Sequence, residues 1–322
     1  MLTLLRRTQA LGIVATLAVV ACTTASRAKN ELYVKTFGDP QRPAVVFVHG
    51  GPGYNSADFE VTTAQRIASL GFFVVTYDQR GQGRSGPTVS DNYNYTTYAE
   101  DLFAILQRFG IKAPILLASS HGGPIALNFE QRYPKVARAI VLQSAPIDFW
   151  KLEQDAYENC AARYRARKNA AALAEITQSF RTLTERRANA AETAAANALL
   201  DEHIVMRCRL LQTRQPSVRE LRLRKVIAEH PSPMERSSTR AFLRNENFIY
   251  RNYTEIVREN RSRIYGIYGD EDGLYSPRTL NEIKTLLSPD HFYLIRKAAH
   301  GVYIDQPAEF LRVFQKITTR MN

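Results

Sequence analysis

Ile115-Leu-Leu-Ala-Ser-Ser-His-Gly-Gly-Pro124 is the stretch on which the fold turns. An apolar run of β type, Ile115 to Ala118, breaks into small residues and then into a helical pattern over Gly122 to Tyr133. Within it, Ala118-Ser119-Ser120-His121-Gly122 fits the small-x-Ser-x-Gly pattern of a nucleophile elbow, with Ala118 in place of the usual first glycine. A serine at so tight a strand-to-helix turn has strained backbone angles, and its neighbours two residues away approach each other too closely for large side chains. The strain projects the hydroxyl outward. The start of the following helix adds N–H groups and a positive dipole end beside it. Taken alone, the pattern better describes a packing turn built from common small residues. Three other segments decide between these readings.

Outward from the elbow the texture repeats. Ala44 to His49, Phe72 to Tyr77 and Ala139 to Gln143 are apolar runs of strand length, and helical patterns alternate with them at Asp58 to Leu70 and Tyr98 to Phe109. Strands apolar on both faces must be covered on both faces, which predicts a parallel sheet flanked by helices. Function in such sheets gathers at the carboxyl ends of the strands. After Trp150 the sequence becomes rich in alanine and arginine, is broken by Pro216, Pro231 and Pro233, and holds no strand-like run as far as Arg261. This reads as an all-helical insertion over 149–261. Strand texture returns at Arg263 to Tyr268 and His291 to Ile295, with helices predicted over Ser276 to Leu287 and Pro307 to Thr318. The core is therefore discontinuous, 31–148 and 262–322.

At 322 residues the chain can bury an ample core without metals or disulfides. Lys and Arg outnumber Asp and Glu by 43 to 31, and the excess lies at the N-terminus and in Lys151 to Arg261, where 21 basic residues face 14 acidic ones. Those basic residues are interspersed with acids and alanines on helical segments, the pattern of a solvated helical surface and not of a nucleic-acid site.

Met1 to Ala21 holds Arg6-Arg7, an apolar run from Ala10 to Val20, and then Val19-Val20-Ala21-Cys22. This resembles a bacterial lipoprotein signal peptide with its lipobox. The apolar run is about half of the roughly 20 residues a spanning helix needs, so a permanent anchor helix fits poorly. A plain secretory signal is the rival; the arginine pair also occurs in twin-arginine signals, but the residues after it fit those poorly. The resemblance implies a mature chain starting at a lipidated Cys22, tethered by 22–30 and carried to the cell envelope. Export to an oxidising compartment makes Cys160 and Cys208 a candidate disulfide, worth roughly 4 kcal/mol if it closes a long loop. Two buried thiols are the alternative.

The strand ending at His49 runs into His49-Gly50-Gly51-Pro52-Gly53, and the next into Asp78-Gln79-Arg80-Gly81-Gln82-Gly83-Arg84-Ser85. In this order, before a Ser120 elbow, these segments resemble the α/β-hydrolase fold and, within it, the proline iminopeptidase-like serine aminopeptidases. The resemblance covers Glu31 to Asp148 and Arg263 onward, not the insertion. Glycines at the end of a strand let backbone N–H groups face the crevice that holds Ser120. Gly51 N–H and His121 N–H are the expected oxyanion hole, each such donor typically worth about 3 to 4 kcal/mol in the transition state. A phosphate-binding loop is the other reading, but no P-loop lysine or dinucleotide fingerprint accompanies it. His49 is expected to pack and hydrogen-bond, and Asp78 and Arg80 to pair or to bind backbone groups.

A serine nucleophile needs a base, and the base an orienting acid. His300, in Lys297-Ala-Ala-His-Gly301, follows the last predicted strand, where this fold places its base. His291 begins that strand at the wrong end, His203 and His230 lie in the insertion, and His121 adjoins the nucleophile. For the acid the resemblance selects Asp272 in Tyr268-Gly-Asp-Glu-Asp-Gly273; Asp270 and Asp148 are the alternatives. The order Ser, Asp, His matches the fold. No cofactor is called for, and no cluster of ligands suggests a metal.

The insertion is expected to form a cap that selects substrate. It departs from the proline iminopeptidase pattern: it holds one tryptophan, Trp150, and the residue after the nucleophile is His121 where those peptidases commonly have tryptophan. Glu202, Glu235 and Glu246 are candidates to meet a substrate ammonium, or are solvated helix residues. Three functions remain open: an exported aminopeptidase acting on short peptides, an esterase, lactonase or amidase of small acyl substrates, and a non-catalytic envelope binding protein on the same scaffold. Epoxide and haloalkane hydrolases use a carboxylate at the elbow, which Ser120 excludes.

Overall fold

The computed structural model describes residues 32–86, 92–188, 225, 236–246 and 248–321. Among them, seven strands form one sheet: β1 (Val34–Phe37), β2 (Ala44–Val48), β3 (Phe73–Tyr77), β4 (Ile115–Ser119), β5 (Ala139–Gln143), β6 (Ile264–Gly269) and β7 (Phe292–Ile295), in the spatial order β1-β3-β2-β4-β5-β6-β7. All pairings are parallel except β1 with β3. β2 to β6 are buried at every position, as their unbroken apolar sequences require. The expected core strands fall within one or two residues of those observed. β1 has no counterpart in the sequence reading. Its four residues, Val-Lys-Thr-Phe, are half-exposed at the sheet edge, too short and polar to register as a strand.

Alternate strand residues serve opposite faces. Val46, Val48, Val75, Leu116 and Leu142 pack in one layer with the helices α2 (Tyr95–Arg108) and α3 (Gly122–Arg132), whereas Val45, Phe47, Val74, Leu117 and Val141 pack in the other. There they meet Phe59 of the helical stretch α1 (57–68) and Phe310 and Phe314 of the C-terminal helix. Phe47 and Phe59 stack with centroids 3.8 Å apart. Each such side chain, fully buried, contributes about 1.5–3 kcal/mol.

Between β5 and β6 the described residues include the helices α4 (Phe149–Ala166), α5 (Ala170–Ala188), α6 (Arg236–Asn245) and α7 (Thr254–Glu259). The chain leaves and re-enters the core side by side, with Phe149 N–H donating to Arg251 O, Tyr253 N–H to Ile147 O, and a bridge between Asp148 and Asn252. Trp150 stacks on Phe180, fastening α4 to α5. Two helices, α8 (Pro277–Leu287) and α9 (Pro307–Thr319), complete the core. Cys160 is fully buried on α4 and disulfide-bonded, which removes the free-thiol reading for it. Cys208 and Cys22 lie outside the described residues, as do the signal and tether segments.

In the loop after β3, Asp78 binds backbone groups as expected, accepting the Ser56 and Arg84 N–H groups, but does not pair with Arg80. Arg80 binds Asp101 of α2 through two bonds of 2.5 Å. Asp78 pairs instead with Arg84, whose Nε lies 2.7 Å from it and whose other nitrogens reach Glu60, while its guanidinium covers the Tyr33 ring at 3.6 Å. Burial works to raise the Asp78 pKa, but the hydrogen bonds from Arg84 hold it below the ordinary carboxylate value.

Glu153, on α4, is 2% exposed, and its Oε2 has no hydrogen-bond partner among the described residues. Burial pushes its pKa up to about 8. The folded state therefore keeps a proton that the unfolded chain releases above the ordinary value, so this group's effect on stability becomes more unfavourable as pH rises through that window. Glu153→Gln is expected to gain on the wild type by about 1.4 kcal/mol per pH unit between the ordinary glutamate value and pH 8. Denaturant unfolding of both proteins across that range reads the difference; parallel stability curves would refute it.

Candidate active site

The elbow owes its shape to its neighbours. β4 ends at Ser119, and Ser120 takes a positive φ of 49°, a costly region for a residue with a side chain. Gly122 opens α3 where a Cβ would stand 2.2 Å from Val48 O, so the close contact lies with the end of β2 and not only within the turn. Ala118 is wholly buried beside β2 and β5.

Three carboxyl ends of strands converge on Ser120. His300, in the loop after β7, accepts or donates through Nε2 at 2.8 Å from Ser120 Oγ, and its Nδ1 lies 2.8 Å from Asp272 Oδ2. Asp272 follows β6, and its Oδ1 accepts the Leu274 N–H at 3.1 Å. His300 and Asp272 are 7% and 5% exposed, so water competes little for these bonds. Gly269 at the end of β6 lets the two loops meet: a Cβ there would stand 2.2 Å from Ala298 O. Ala299 N–H donates to Asp305 Oδ2, fixing the base loop to the helical turn that follows it.

The alternative acids are engaged elsewhere. Asp270 accepts the Lys297 N–H at 2.7 Å. Asp148 caps α4 through the Lys151 N–H and holds Asn252 Nδ2 at 2.8 Å, at the root of the helical insertion. His49 is buried, accepting the Gln79 N–H on Nε2 and donating from Nδ1 to Gly50 O. His291 bonds the carbonyls of Arg261 and Ile264 at the far end of β7. His203 and His230 are outside the described residues.

Gly50 lies against the elbow, where a Cβ on it would stand 3.2 Å from Ser120 Cβ, and Gly51 follows with a cis bond to Pro52. Gln82 Oε1 accepts the N–H groups of Gly53 and Tyr54, holding this glycine turn from beneath. The His121 ring turns away into a cluster of Tyr95, Tyr98 and Phe242, where Nδ1 meets Tyr95 OH at 3.1 Å. Burial, and next the neighbouring His49, push its pKa down to about 3, so the ring stays neutral.

Two contacts were not anticipated. Along one stripe of α4, Asp155 accepts the Ser276 N–H, Asn159 donates to Gly273 O and Tyr275 O, and the Arg163 guanidinium covers Gly273. These residues recur every fourth position, so the helical insertion grips the loop that carries Asp272. The second contact is Gln143, the polar end of an otherwise apolar strand, which reaches both the elbow and the base loop. Of the candidate ammonium receptors, Glu246 is buried, paired with Arg251 at 2.6 Å and bonded by the Tyr95 N–H. It is therefore a structural carboxylate. Glu202 and Glu235 lie outside the described residues.

A family model described as the alpha/beta hydrolase fold matches residues 43–307, and the chain belongs to that family. A bifunctional esterase/perhydrolase of Acinetobacter calcoaceticus is 32% identical over 120 residues, 36% of this chain and 42% of that protein. A proline iminopeptidase of Clostridium botulinum is 33% identical over 114 residues, 34% of this chain and 38% of the relative. The matches thus span about two fifths of these curated relatives. A proline iminopeptidase-related protein of Thermus thermophilus superposes with a TM-score of 0.66 at 23% identity, covering 90% of this chain and 94% of that one. A carboxylesterase of Nitrososphaera gargenis gives 0.62 at 20% identity, with 91% and 97% covered. At these identities the structures speak for the fold.

Proposed function

We propose that this protein is a serine hydrolase that cleaves an acyl bond through Ser120, His300 and Asp272. The reading rests on one observation: the unbroken chain Ser120 Oγ to His300 Nε2 and His300 Nδ1 to Asp272 Oδ2, each link 2.8 Å. Ser120 attacks the acyl carbonyl while His300 takes its proton and Asp272 orients and stabilises the imidazolium. The N–H groups of Gly51 and His121 receive the oxyanion. His300 then protonates the leaving group and activates the water that releases the acyl group from Ser120.

The substrate reading is an aminopeptidase of the proline iminopeptidase type, exported and lipid-anchored at Cys22; its support is the likeness to proline iminopeptidases. A second reading, an esterase, lactonase or amidase of small acyl groups, is favoured by the engagement of Glu246 with Arg251, which leaves that carboxylate unsuited to a substrate ammonium. A panel of aminoacyl amides and simple esters separates the two. The aminopeptidase reading expects amides with a free amino group, proline included, to be cleaved and their N-acylated forms to be spared. Cleavage of esters alone would end it. Incorporation of labelled palmitate in a bacterial host, lost in Cys22→Ala, is the expected sign of the anchor.

A further inference from the structure

Gln143 lies at the carboxyl end of β5 and is wholly buried. Its backbone carbonyl accepts the Ser120 N–H at 2.8 Å. Its side chain divides between two partners: Oε1 accepts from Ser119 Oγ at 2.6 Å, and Nε2 donates to the His300 carbonyl at 2.7 Å. One residue therefore holds the nucleophile's backbone, the residue before it and the backbone of the base. The two loops it joins are 180 residues apart in sequence and meet in the Ser120–His300 bond. Other supports of the base loop, among them Ala299 N–H on Asp305, Glu271 N–H on Ala298 O and Lys297 N–H on Asp270, tie it to the helical turn that follows it and to the acid loop, not to the elbow.

A glutamine is suited to this place because its amide is at once acceptor and donor at fixed separation. A leucine or methionine of similar volume would leave the Ser119 hydroxyl and the His300 carbonyl buried without these bonds. We infer that Gln143 is a positioning residue: its side-chain amide sets the distance between the Ser120 elbow and the His300 loop. The inference builds on the proposed Ser120–His300 chemistry. Gln143 does not touch substrate, so its effect falls on the chemical step and leaves substrate binding in place.

The experiment uses a fluorophosphonate probe with the full-length protein, together with a cleaved substrate from the panel. Active sites are titrated so that kcat is expressed per competent site and loss of folded protein is discounted. Gln143→Met is expected to lower kcat by about a hundredfold, the scale of an ångström-sized misplacement, with KM unchanged and probe labelling slowed alike. Ser119→Ala, which removes one arm only, is expected to cost about tenfold, and the double variant to be no slower than Gln143→Met, because both changes act through one chain of bonds. A kcat per titrated site within about threefold of wild type in Gln143→Met overturns the inference. So do additive losses in the double variant. Should Gln143→Met fail to fold, Ser119→Ala decides alone, and an unchanged kcat there overturns it. Labelled wild type with unaffected variants sinks only this role for Gln143, whereas wild type that resists the probe sinks the Ser120 reading with it.

Discussion

Ser120→Ala is expected to lower kcat by about ten-thousand- to million-fold and to abolish labelling by a fluorophosphonate, while the protein stays folded. The change removes one oxygen, whose partner is His300 Nε2. It leaves the φ of 49° occupied by another residue with a Cβ, so the backbone strain is the same in both proteins. Gly122 against Val48 and the Ser120 N–H to Gln143 O bond persist, and the turn keeps its form. Residual turnover should come from oxyanion donors and binding alone. Circular dichroism and thermal unfolding, run beside the kinetics, check that only chemistry was lost. Substantial turnover in the variant would mean that another group performs the reaction.

Asp272→Asn carries the second large effect, a loss in kcat of about ten-thousand-fold. The direction follows from the partners. The Leu274 N–H can only donate, so it selects the amide oxygen of the asparagine. The amide nitrogen then faces His300 Nδ1, where it donates instead of accepting. His300 is driven to carry its proton on Nε2, and a protonated Nε2 cannot take the proton of Ser120. The change is isosteric, so geometry is retained while the tautomer is reversed. Asp270→Asn and Asp148→Asn serve as controls and are expected near wild-type rates, since their carboxylates hold the Lys297 N–H and the root of the insertion. Equal losses in Asp148→Asn would move the acid to the end of β5.

The parts of the site that were readable share a physical cause. Ser120 and Asp272 follow strands buried at every position, which write themselves into sequence as unbroken apolar runs, and His300 follows β7, an edge strand apolar in sequence though largely half-exposed. The glycine at 122 is dictated by backbone approach, which tolerates few alternatives. Less readable were pairings that depend on which chain segment arrives from elsewhere. Arg80 and Arg84 sit four residues apart in one loop, and only the placement of α2 beside that loop gives Arg80 to Asp101 and leaves Arg84 for Asp78. Gln143 had a visible signal, a polar side chain closing a buried apolar strand, but its partners lie on two other loops. The stripe Asp155, Asn159 and Arg163 looked like any solvated face of a basic helix.

By itself, the sequence determined the layered α/β architecture, the elbow and the strand ends at which the candidate site residues sit, because burial and backbone crowding restrict residue types locally. The choice of Asp272 over Asp148 and Asp270 as the carboxylate against His300, the capture of Glu246 by Arg251 and the grip of α4 on the Asp272 loop were decided by tertiary structure. A carboxylate looks the same in sequence whether it caps a helix, braces a loop or orients an imidazole. What separates these roles is the partner folding brings within about 3 Å, and that partner comes from distant chain.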